Sequence, residues 1–305
     1  MNTHSPPIRI YKLVDGERYL TLRDSVNITF YMRSSHRELQ HSVSRSLDAY
    51  LSAVGAEKLA WYVDYEGNWC ELDAQGWSFI RQWLAEPTGA VITLRERPDS
   101  NTGYHFEYHG RDLDSPLCTD NPEIVCALSF WLPTEYLEEH GSERVRALAL
   151  QLGAGLPFSS GHAGLCFHFP EGVLGLTNAI RELCFDHPGL DILNLGSTSM
   201  SIGTRVGAVQ WLTFLGQPVL GHVGGVMGLR SRLLSPETTV QKLEGERAVI
   251  TLGRRPEAGD TQPERTLAPY RELARLLEPW LFLERPAWRG FTPEDMRRWE
   301  RRFLD

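Results

Sequence analysis

Cysteine is scarce in this sequence and basic residues are outnumbered, and each shortage excludes classes of protein. The 305 residues include five cysteines, none of them in a Cys-x-x-Cys pair. We therefore expect a reducing compartment, with neither a disulfide framework nor a closed zinc site. Lys and Arg number 31 against 39 Asp and Glu, which gives a formal net charge of −8. This balance argues against a nucleic-acid-binding surface and suits a basic partner.

Targeting signals are missing too. The amino terminus lacks the basic segment followed by an apolar one that marks a secretory signal, and no lipidation motif follows the first residue. From this we expect a cytoplasmic protein.

Motifs for nucleophilic catalysis and phosphate binding are also absent. Ser160 and His162 lie close together, but without the Gly-x-Ser-x-Gly spacing of a nucleophile elbow. Residues 221–228 are rich in glycine but lack the Lys-Ser/Thr of a Walker loop and the Gly-x-Gly-x-x-Gly order of a dinucleotide site. We interpret the first segment as a polar loop and the second as close helix packing. We expect no catalytic residues and no cofactor.

Histidine and cysteine alternate on two predicted strands. His105 and His109 share a face of one strand, and Cys166 and His168 share a face of the other. Two such pairs could meet as metal ligands. No cluster has ligand spacing, so we expect ordinary strand residues and no metal.

Residues 206–229 include no Asp, Glu, Lys or Arg. In a soluble protein such a run must be buried, so we expect it to form the centre of the core. The pattern predicts a strand over residues 206–215, a turn at 216–218 and a glycine-rich helix over 219–234. A membrane span is the alternative by length. Gln210, Gln217, Pro218, His222 and six glycines interrupt the run and argue against it.

Hydrophobic periodicity divides the rest of the chain into strands and helices. We predict strands over residues 27–32, 59–65, 90–96, 104–109, 123–132, 164–169, 239–243 and 246–252. We predict helices over residues 35–54, 73–85, 134–152, 173–184 and 266–281, and a terminal helix after Thr292. This order indicates an α+β fold in which a mixed, mainly antiparallel sheet is flanked by helices.

The strand and helix order restarts after a polar, proline-bearing segment near residues 111–121. We therefore predict an N-terminal arm over residues 1–25 and a first α+β half over 26–115. A second half with the C-terminal helices would cover 116–305. The two β-α-β-containing halves are also compatible with one merged domain.

Two loop regions combine acidic and aromatic residues. Such loops suit the capture of a basic protein surface, because complementary charge speeds association and aromatic side chains anchor the complex. An ordinary solvated turn is the alternative at each position. The candidate partner-binding residues are Asp64, Glu66, Trp69, Glu71, Asp112 and Asp114.

The uncharged stretch also carries a family resemblance. Its pattern Gly203-Thr-Arg-Val-x-x-Val-x-Trp211-Leu-Thr-Phe-Leu-Gly216, followed by Leu220-x-x-Val-Gly224-Gly225, resembles the signature of type VI secretion immunity proteins. The strand at Trp61 and the loop that begins at Gly253 are similar to that family in order and kind. The resemblance covers about residues 25 to 281.

The resemblance implies a non-enzymatic antidote that binds a cognate effector toxin, encoded next to it, and blocks the toxin's active site. The acidic balance and the expected cytoplasmic location then favour a nuclease as the toxin. Gly224 and Gly225 match the motif, and we expect a structural role for them. The alternative is a small-molecule enzyme or sensor whose pocket lies between the two halves and uses His105, His162 or His168.

Overall fold

The computed structural model describes residues 8–98, 100–170, 176–259, 267–285 and 287–305. The strands are β1 (Arg9–Val14), β2 (Glu17–Met32), β3 (Trp61–Val63), β4 (Trp69–Glu71), β5 (Gly89–Arg97), β6 (Ser100–Arg111), β7 (Cys126–Pro133), β8 (Phe158–His168), β9 (Leu212–Leu215), β10 (Thr238–Leu243) and β11 (Arg247–Leu252). The helices are α1 (His36–Val54), α2 (Ala74–Ala85), α3 (Pro116–Thr119), α4 (Thr134–Gly153), α5 (Leu176–Asp186), α6 (Leu195–Ser199), α7 (Val219–His222), α8 (Gly225–Arg232), α9 (Ala268–Leu277) and α10 (Pro293–Glu300).

All the strands in the described residues join in one sheet. Their order is β10-β11-β9-β8-β2-β7-β6-β5-β3-β4, and β1 pairs with the first part of β2. Every ladder between these strands is antiparallel. The α+β class and the mainly antiparallel sheet predicted from the sequence are therefore confirmed.

One face of the sheet is apolar and is covered by helices. Successive side chains of a strand point to opposite faces, so Ile28 and Phe30 of β2 share this side. The Phe30 ring lies 5.4 Å from the ring of Phe158 and 5.1 Å from that of Phe214, between ring centroids. Helices α1, α2 and α4 pack over this face. The apolar face is therefore the main core of the protein.

The opposite face is polar even where it is buried. At its centre Asn27 donates to Ser129 Oγ at 2.7 Å, and Thr29 donates to Asn27 Oδ1 at 2.7 Å. These three side chains are at most 1% exposed. Burying a polar group is tolerated when it is hydrogen-bonded. The hydrogen bonds among these three side chains therefore compensate for burying polar groups in the middle of the sheet.

Irregular chain covers part of the polar face. The segment around Asp191 forms a parallel bridge with Cys166 of β8, and Val206 forms another with Leu281. Helix α6 packs on β6 and β7. The covering layer reaches only part of the way across the sheet, so β5 and the neighbouring side of β6 keep an accessible polar face.

Helix ends agree with the capping signals in the sequence. Asp73 accepts hydrogen bonds from the backbone N–H groups of Gln75 and Gly76 at 2.9 and 2.8 Å. Gly55 ends α1 with φ 94°, a conformation that favours glycine. Thr292 and Asp295 form a capping box at α10. These residues mark ends of α2, α1 and α10, three of the helices that periodicity predicts.

The uncharged stretch differs from its prediction. Only Leu212–Leu215 is a strand, because residues before it leave the sheet and Val206 pairs with Leu281 in the covering layer. The predicted helix over 219–234 is two helices, α7 and α8, separated at Gly224 with φ 82°. Residues 206–216 are buried as expected, but α7 and α8 are partly exposed, and Met227 is 73% exposed. Strand β2, paired with both β7 and β8, lies at the centre of the sheet. Among the described residues, no helix is long and apolar enough to cross a membrane.

Other boundaries moved by a few residues. Strand β8 begins at Phe158 rather than at 164, and the start of the predicted helix over 173–184 lies partly outside the described residues, which begin again at Leu176 in α5. Residue 266, the first of another predicted helix, also lies outside them, and α9 begins at Ala268. The sheet continues across residue 115 because β6 pairs with β7. The division into arm and two halves stays a prediction.

Candidate functional site

The accessible part of the polar sheet face runs across β6, β5, β3 and β4, in that order. Alternation along β5 buries Ala90, Ile92 and Leu94 against the helices and turns the intervening residues to the other side. Val91 is 48% exposed there, which is unusual for a valine inside a sheet. We call this surface the open polar face; its residues are Trp69, Glu71, Val91, Thr93, Arg95, Glu107 and His109.

Strand register places the predicted residues Trp69 and Glu71 on this face. Directly opposed residues of an antiparallel pair share a face, and Trp61 opposes both Arg95 and Glu71. The Arg95 guanidinium lies over the Trp69 ring, 4.7 Å from its centroid. This cation–π contact fixes the indole on the rim of the sheet.

Asp64 has a structural role in the β3–β4 hairpin. Its Oδ1 accepts hydrogen bonds from the backbone N–H groups of Glu66 and Asn68, at 2.9 and 2.8 Å. These hydrogen bonds lower the pKa of Asp64, and that of Asn68 is the main cause. The carboxylate therefore builds the turn, as aspartate commonly does. Glu66 and Glu71 are exposed and form no ion pair within the part of the chain that the structure describes.

Asp112 and Asp114 hold the start of α1. The Ser35 hydroxyl donates to Asp114 Oδ2 at 3.1 Å, and Leu113 N–H donates to Ser35 Oγ at 2.8 Å. Arg37 forms a 2.6 Å ion pair with Asp114, in which both side chains are about 60% exposed. The loop after β6 is thereby tied to the first turn of α1.

The structure brings the two predicted patches to the same end of the sheet. Strand β3 runs antiparallel to β5, so the hairpin tip after Val63 points toward the Gly89 end of β5. Arg111 opposes Gly89, and Asp112 follows it. Trp69 and Glu71 belong to the open polar face, whereas Asp112 and Asp114 lie in the loop beyond its end.

A cavity of about 480 Å³ lies where the open polar face meets the covering layer. Its wall includes His105 of β6, Trp131 of β7 and His168 at the end of β8. The three rings are nearly parallel: Trp131 and His168 have centroids 4.1 Å apart, and His105 and His168 5.8 Å. The histidines are 5% and 2% exposed.

Polar atoms of this wall lack partners. Both ring nitrogens of His105, Nε2 of His168 and Nε1 of Trp131 are buried without a hydrogen bond from any described residue. Burial lowers the pKa of His105 and His168 well below the ordinary value, and the positive charge of Arg95 lowers both further. Both imidazoles are therefore neutral at neutral pH.

The third histidine considered from the sequence, His162, lies apart from this cavity under the covering layer. Burial lowers its pKa to about 4, although Asp191 acts in the opposite direction. Arg285 and Arg302 also face it from the C-terminal segment, and the Tyr31 ring lies 6.2 Å away. Ser160 donates its hydroxyl to the Arg205 carbonyl at 2.7 Å, so it is not paired with His162 as a nucleophile.

Acid should weaken the fold through His162. Its native pKa lies below that of the unfolded chain, so the unfolded state takes up the proton first and stability is lost as the pH falls from about 6.5 toward 4. When the pH is lowered from about 7 to about 5, the unfolding free energy of the native protein should fall. In H162Q, which lacks the titrating group, we expect this fall to be about 2 kcal/mol smaller. Urea unfolding at both values checks this. The control is H41Q, on the exposed side of α1, and an equal loss in H162Q and the native protein contradicts the prediction.

The histidine pairs considered as metal ligands meet only in part. His105 and His168 approach each other, but His109 Nε2 pairs with Glu107 Oε1 at 2.7 Å and Cys166 donates to the Phe167 carbonyl. No group of three His, Cys, Asp or Glu suited to a metal occurs within the described ranges. Sequence reasoning did not single out Arg95 and Trp131, because only the strand register shows that they flank His105.

The chain is thus an α+β protein that presents one polar face of a large antiparallel sheet, and comparison with known proteins places it among the immunity proteins of type VI secretion. A family model described as type VI immunity for VRR-NUC (TsiV) matches residues 42–303, and the chain belongs to this family. The family predicted from the sequence is confirmed.

A solved structure has the same fold. The Pseudomonas aeruginosa T6SS protein PA0821 matches with a TM-score of 0.79 at 19% sequence identity, over 97% of this chain and 87% of that one. At this identity the likeness shows the fold alone. No curated protein matches the chain.

Proposed function

We propose that this protein binds a cognate type VI nuclease toxin of the VRR-NUC type and neutralises it by covering the toxin's active site. The observation that carries the proposal is the family match over residues 42–303, which spans most of the chain. The protein would act by binding alone. It would do so in the cytoplasm, where the nucleic acid that the toxin cleaves is located.

Charge supports a nuclease as the partner. A nuclease needs a basic cleft to hold phosphates, and a protein of net charge −8 is attracted to that cleft. Complementary charge raises the association rate, and a central aromatic residue commonly supplies much of the affinity.

The open polar face and the β3–β4 hairpin are the proposed contact surface. Glu66 and Glu71 offer accessible carboxylates, and Trp69 offers an aromatic surface held in place by Arg95. Asp112 and Asp114 would lie at the margin of this surface, since their carboxylates already bind Ser35 and Arg37. Asp64 would contribute by shaping the hairpin tip.

Co-expression tests the function. The chain is produced together with the nuclease encoded next to it, and growth and co-purification are scored. We expect rescue of growth and a stable complex. A type VI toxin directed at the cell wall is the control and should still kill. If the neighbouring product is harmless alone, or kills regardless and does not bind, the proposal is wrong.

Charge reversal tests the surface. We expect the double variant E66K/E71K to bind the toxin about ten-fold more slowly at low salt, with a smaller dependence of the rate on salt. Asp64 is left unchanged so that the hairpin turn is preserved. Stopped-flow or surface-plasmon-resonance association rates at low and high salt provide the measurement.

The matched control is E139K/E143K, which makes the same charge change on α4, on the helix-covered side of the sheet. Both glutamates are exposed. Equal slowing by the two double variants would show that net charge, rather than this surface, governs association.

A further inference from the structure

A second, smaller cavity lies where the covering layer meets α5. It has a volume of about 180 Å³. Its described lining comes from Phe169 after β8, from Thr177 of α5, from α6 and from the segment that carries Arg285 and Trp288. Arg285 is held there by Asp191, whose Oδ1 lies 3.3 Å from the Arg285 Nη1 atom. Sites for drug-sized molecules span roughly 300–1,000 Å³, so this cavity fits only a small ligand.

Two aromatic rings give the cavity an apolar side. Phe169 is 9% exposed and Trp288 is half-buried, and their ring centroids lie 6.2 Å apart with the ring planes inclined by 56°. Apolar surface of this kind favours the burial of a planar or aliphatic group, because that group then leaves water. The ligand should therefore carry an apolar body.

Hydroxyl groups without partners line another part of the cavity. Thr198 of α6 is 7% exposed, yet its hydroxyl forms no hydrogen bond with any described residue, and its oxygen remains accessible. Ser197 of α6 and Thr177 of α5 are half-buried, and their hydroxyls also lack partners in the part of the chain that the structure describes. Most buried polar side chains in folded proteins are hydrogen-bonded. These hydroxyls therefore indicate a ligand that offers polar atoms.

The cavity also carries a positive charge that no described residue neutralises. Arg289 is exposed at the cavity, and its guanidinium forms no ion pair or hydrogen bond within the described ranges. Arg285 is the other charged residue of the described lining, and it is already paired with Asp191 and donates to the Ile192 carbonyl at 3.0 Å. A guanidinium binds a carboxylate through two parallel hydrogen bonds, so Arg289 suits a ligand with a carboxylate group.

We propose that this cavity binds a free small monocarboxylic acid. The apolar body of the acid lies against Phe169 and Trp288, its carboxylate pairs with Arg289, and the Thr198 hydroxyl forms a hydrogen bond with a ligand oxygen. One unpartnered guanidinium matches one negative charge, whereas a phosphate monoester carries about −1.5 to −2 and would keep part of its charge unpaired. The inference goes beyond the proposed function, because it needs no toxin and concerns residues outside the proposed contact surface.

Titration of the free protein with benzoate tests the proposal, since benzoate joins a carboxylate to a planar apolar ring. Calorimetry and amide chemical shifts are the two readouts. We expect saturable binding of benzoate. Benzamide, which has the same shape without the charge, should bind at least about ten-fold more weakly. Phenyl phosphate should bind no more tightly than benzoate.

An arginine variant tests the charge. We expect R289Q to weaken benzoate binding at least about ten-fold, because it removes a hydrogen-bonded ion pair, and to change benzamide binding less than about two-fold. Arg289 is exposed, so the variant should fold normally. The matched control is R297Q, an exposed arginine of α10 outside the described lining, which should bind benzoate within about two-fold of the native protein.

A threonine variant tests the hydroxyl. We expect T198V to weaken benzoate binding about five-fold, because the ligand loses one hydrogen bond while the side chain keeps its shape. Its urea midpoint should be unchanged or higher, since the hydroxyl that it removes has no partner among the described residues. A lower midpoint together with unchanged benzoate binding would show that the hydroxyl serves the fold instead of a ligand.

Three other results would overturn the proposal: no saturable binding, equal affinity for benzoate and benzamide, or an equal loss of affinity in R289Q and R297Q. All these measurements use the free protein. A failure of the co-expression test would therefore leave them unchanged, and the two hypotheses can fail separately.

Discussion

Replacing Asp191 with asparagine is expected to destabilise the protein by about 3–5 kcal/mol, the usual cost of removing one partner from a buried ion pair. Asp191 is 2% exposed, and its Oδ1 lies 3.3 Å from Arg285 and 3.2 Å from Arg302. The side chains of these arginines are 9% and 8% exposed. D191N would leave two buried cations without their carboxylate.

The protonation of this network supports the expectation. Burial alone would raise the pKa of Asp191, but Arg285 and Arg302 outweigh it and hold the pKa below its ordinary value. Burial lowers the pKa of Arg302 to about 10 even with Asp191 present. The carboxylate is therefore ionised at neutral pH, and its charge is what keeps both guanidinium groups in the interior.

Urea unfolding of D191N measures the loss. The matched control is D48N, which breaks the ion pair between Asp48 and Arg81 on the helical layer, where the two side chains are 56% and 39% exposed. We expect D48N to cost less than about 1 kcal/mol, since an exposed pair gains little over solvation. Similar costs for the two variants would show that the Asp191 network does not anchor the covering layer.

The network explains why the polar face is open on one side only. Arg285 also donates to the Ile192 carbonyl at 3.0 Å, and Arg302 donates to the Pro188 carbonyl at 2.9 Å. The C-terminal segment is thereby tied to the chain that follows β8. Across the sheet, at β5, the side chain of Val91 is 48% exposed.

Local signals in the sequence were sufficient for much of the secondary structure. Periodicity identified α1, α2 and α4, and the residues Asp73, Gly55 and Thr292 marked helix ends because each satisfies or terminates backbone hydrogen bonds within a few positions. Such effects depend on neighbours in sequence and can be read from it.

The strand order could not be predicted in the same way. Strand β2 pairs with β7 and β8, whose opposed residues lie between 94 positions (Met32 with Cys126) and 145 positions (Arg23 with His168) away, and no single residue of β2 encodes that choice. The uncharged stretch shows the same limit. Hydrophobicity indicates burial, but burial in a covering layer and burial in a sheet give the same signal.

The candidate site was predicted only in part, because its assembly also depends on the order and register of the strands. Trp69 and Glu71 were nominated from composition, but their shared face with Arg95 and Glu107 follows from register alone. The structural role of Asp64 had a sequence signal, since an aspartate followed by Gly67 and Asn68 is typical of a turn. The meeting of His105 with His168 had none.

The second large expected effect is on toxin binding and concerns Trp69 of the open polar face. We expect W69A to weaken the toxin complex roughly 100-fold, about 3 kcal/mol, because a half-buried tryptophan at a binding surface commonly acts as a hot spot. The indole is held over Arg95 on the edge of the sheet, so little side-chain entropy is lost when a partner packs on it. Its neighbour Glu71 offers a charge to the same basic surface.

Equilibrium binding of W69A to the catalytically inactive toxin is the measurement, with urea unfolding to confirm that the variant is folded. The matched control is W77A on α2, which removes a tryptophan from the helix-covered side of the sheet and should bind within about two-fold of the native protein. An unchanged affinity of W69A would exclude the open polar face as the centre of the interface. If W77A were the weaker binder, the contact surface would lie on the helical layer instead.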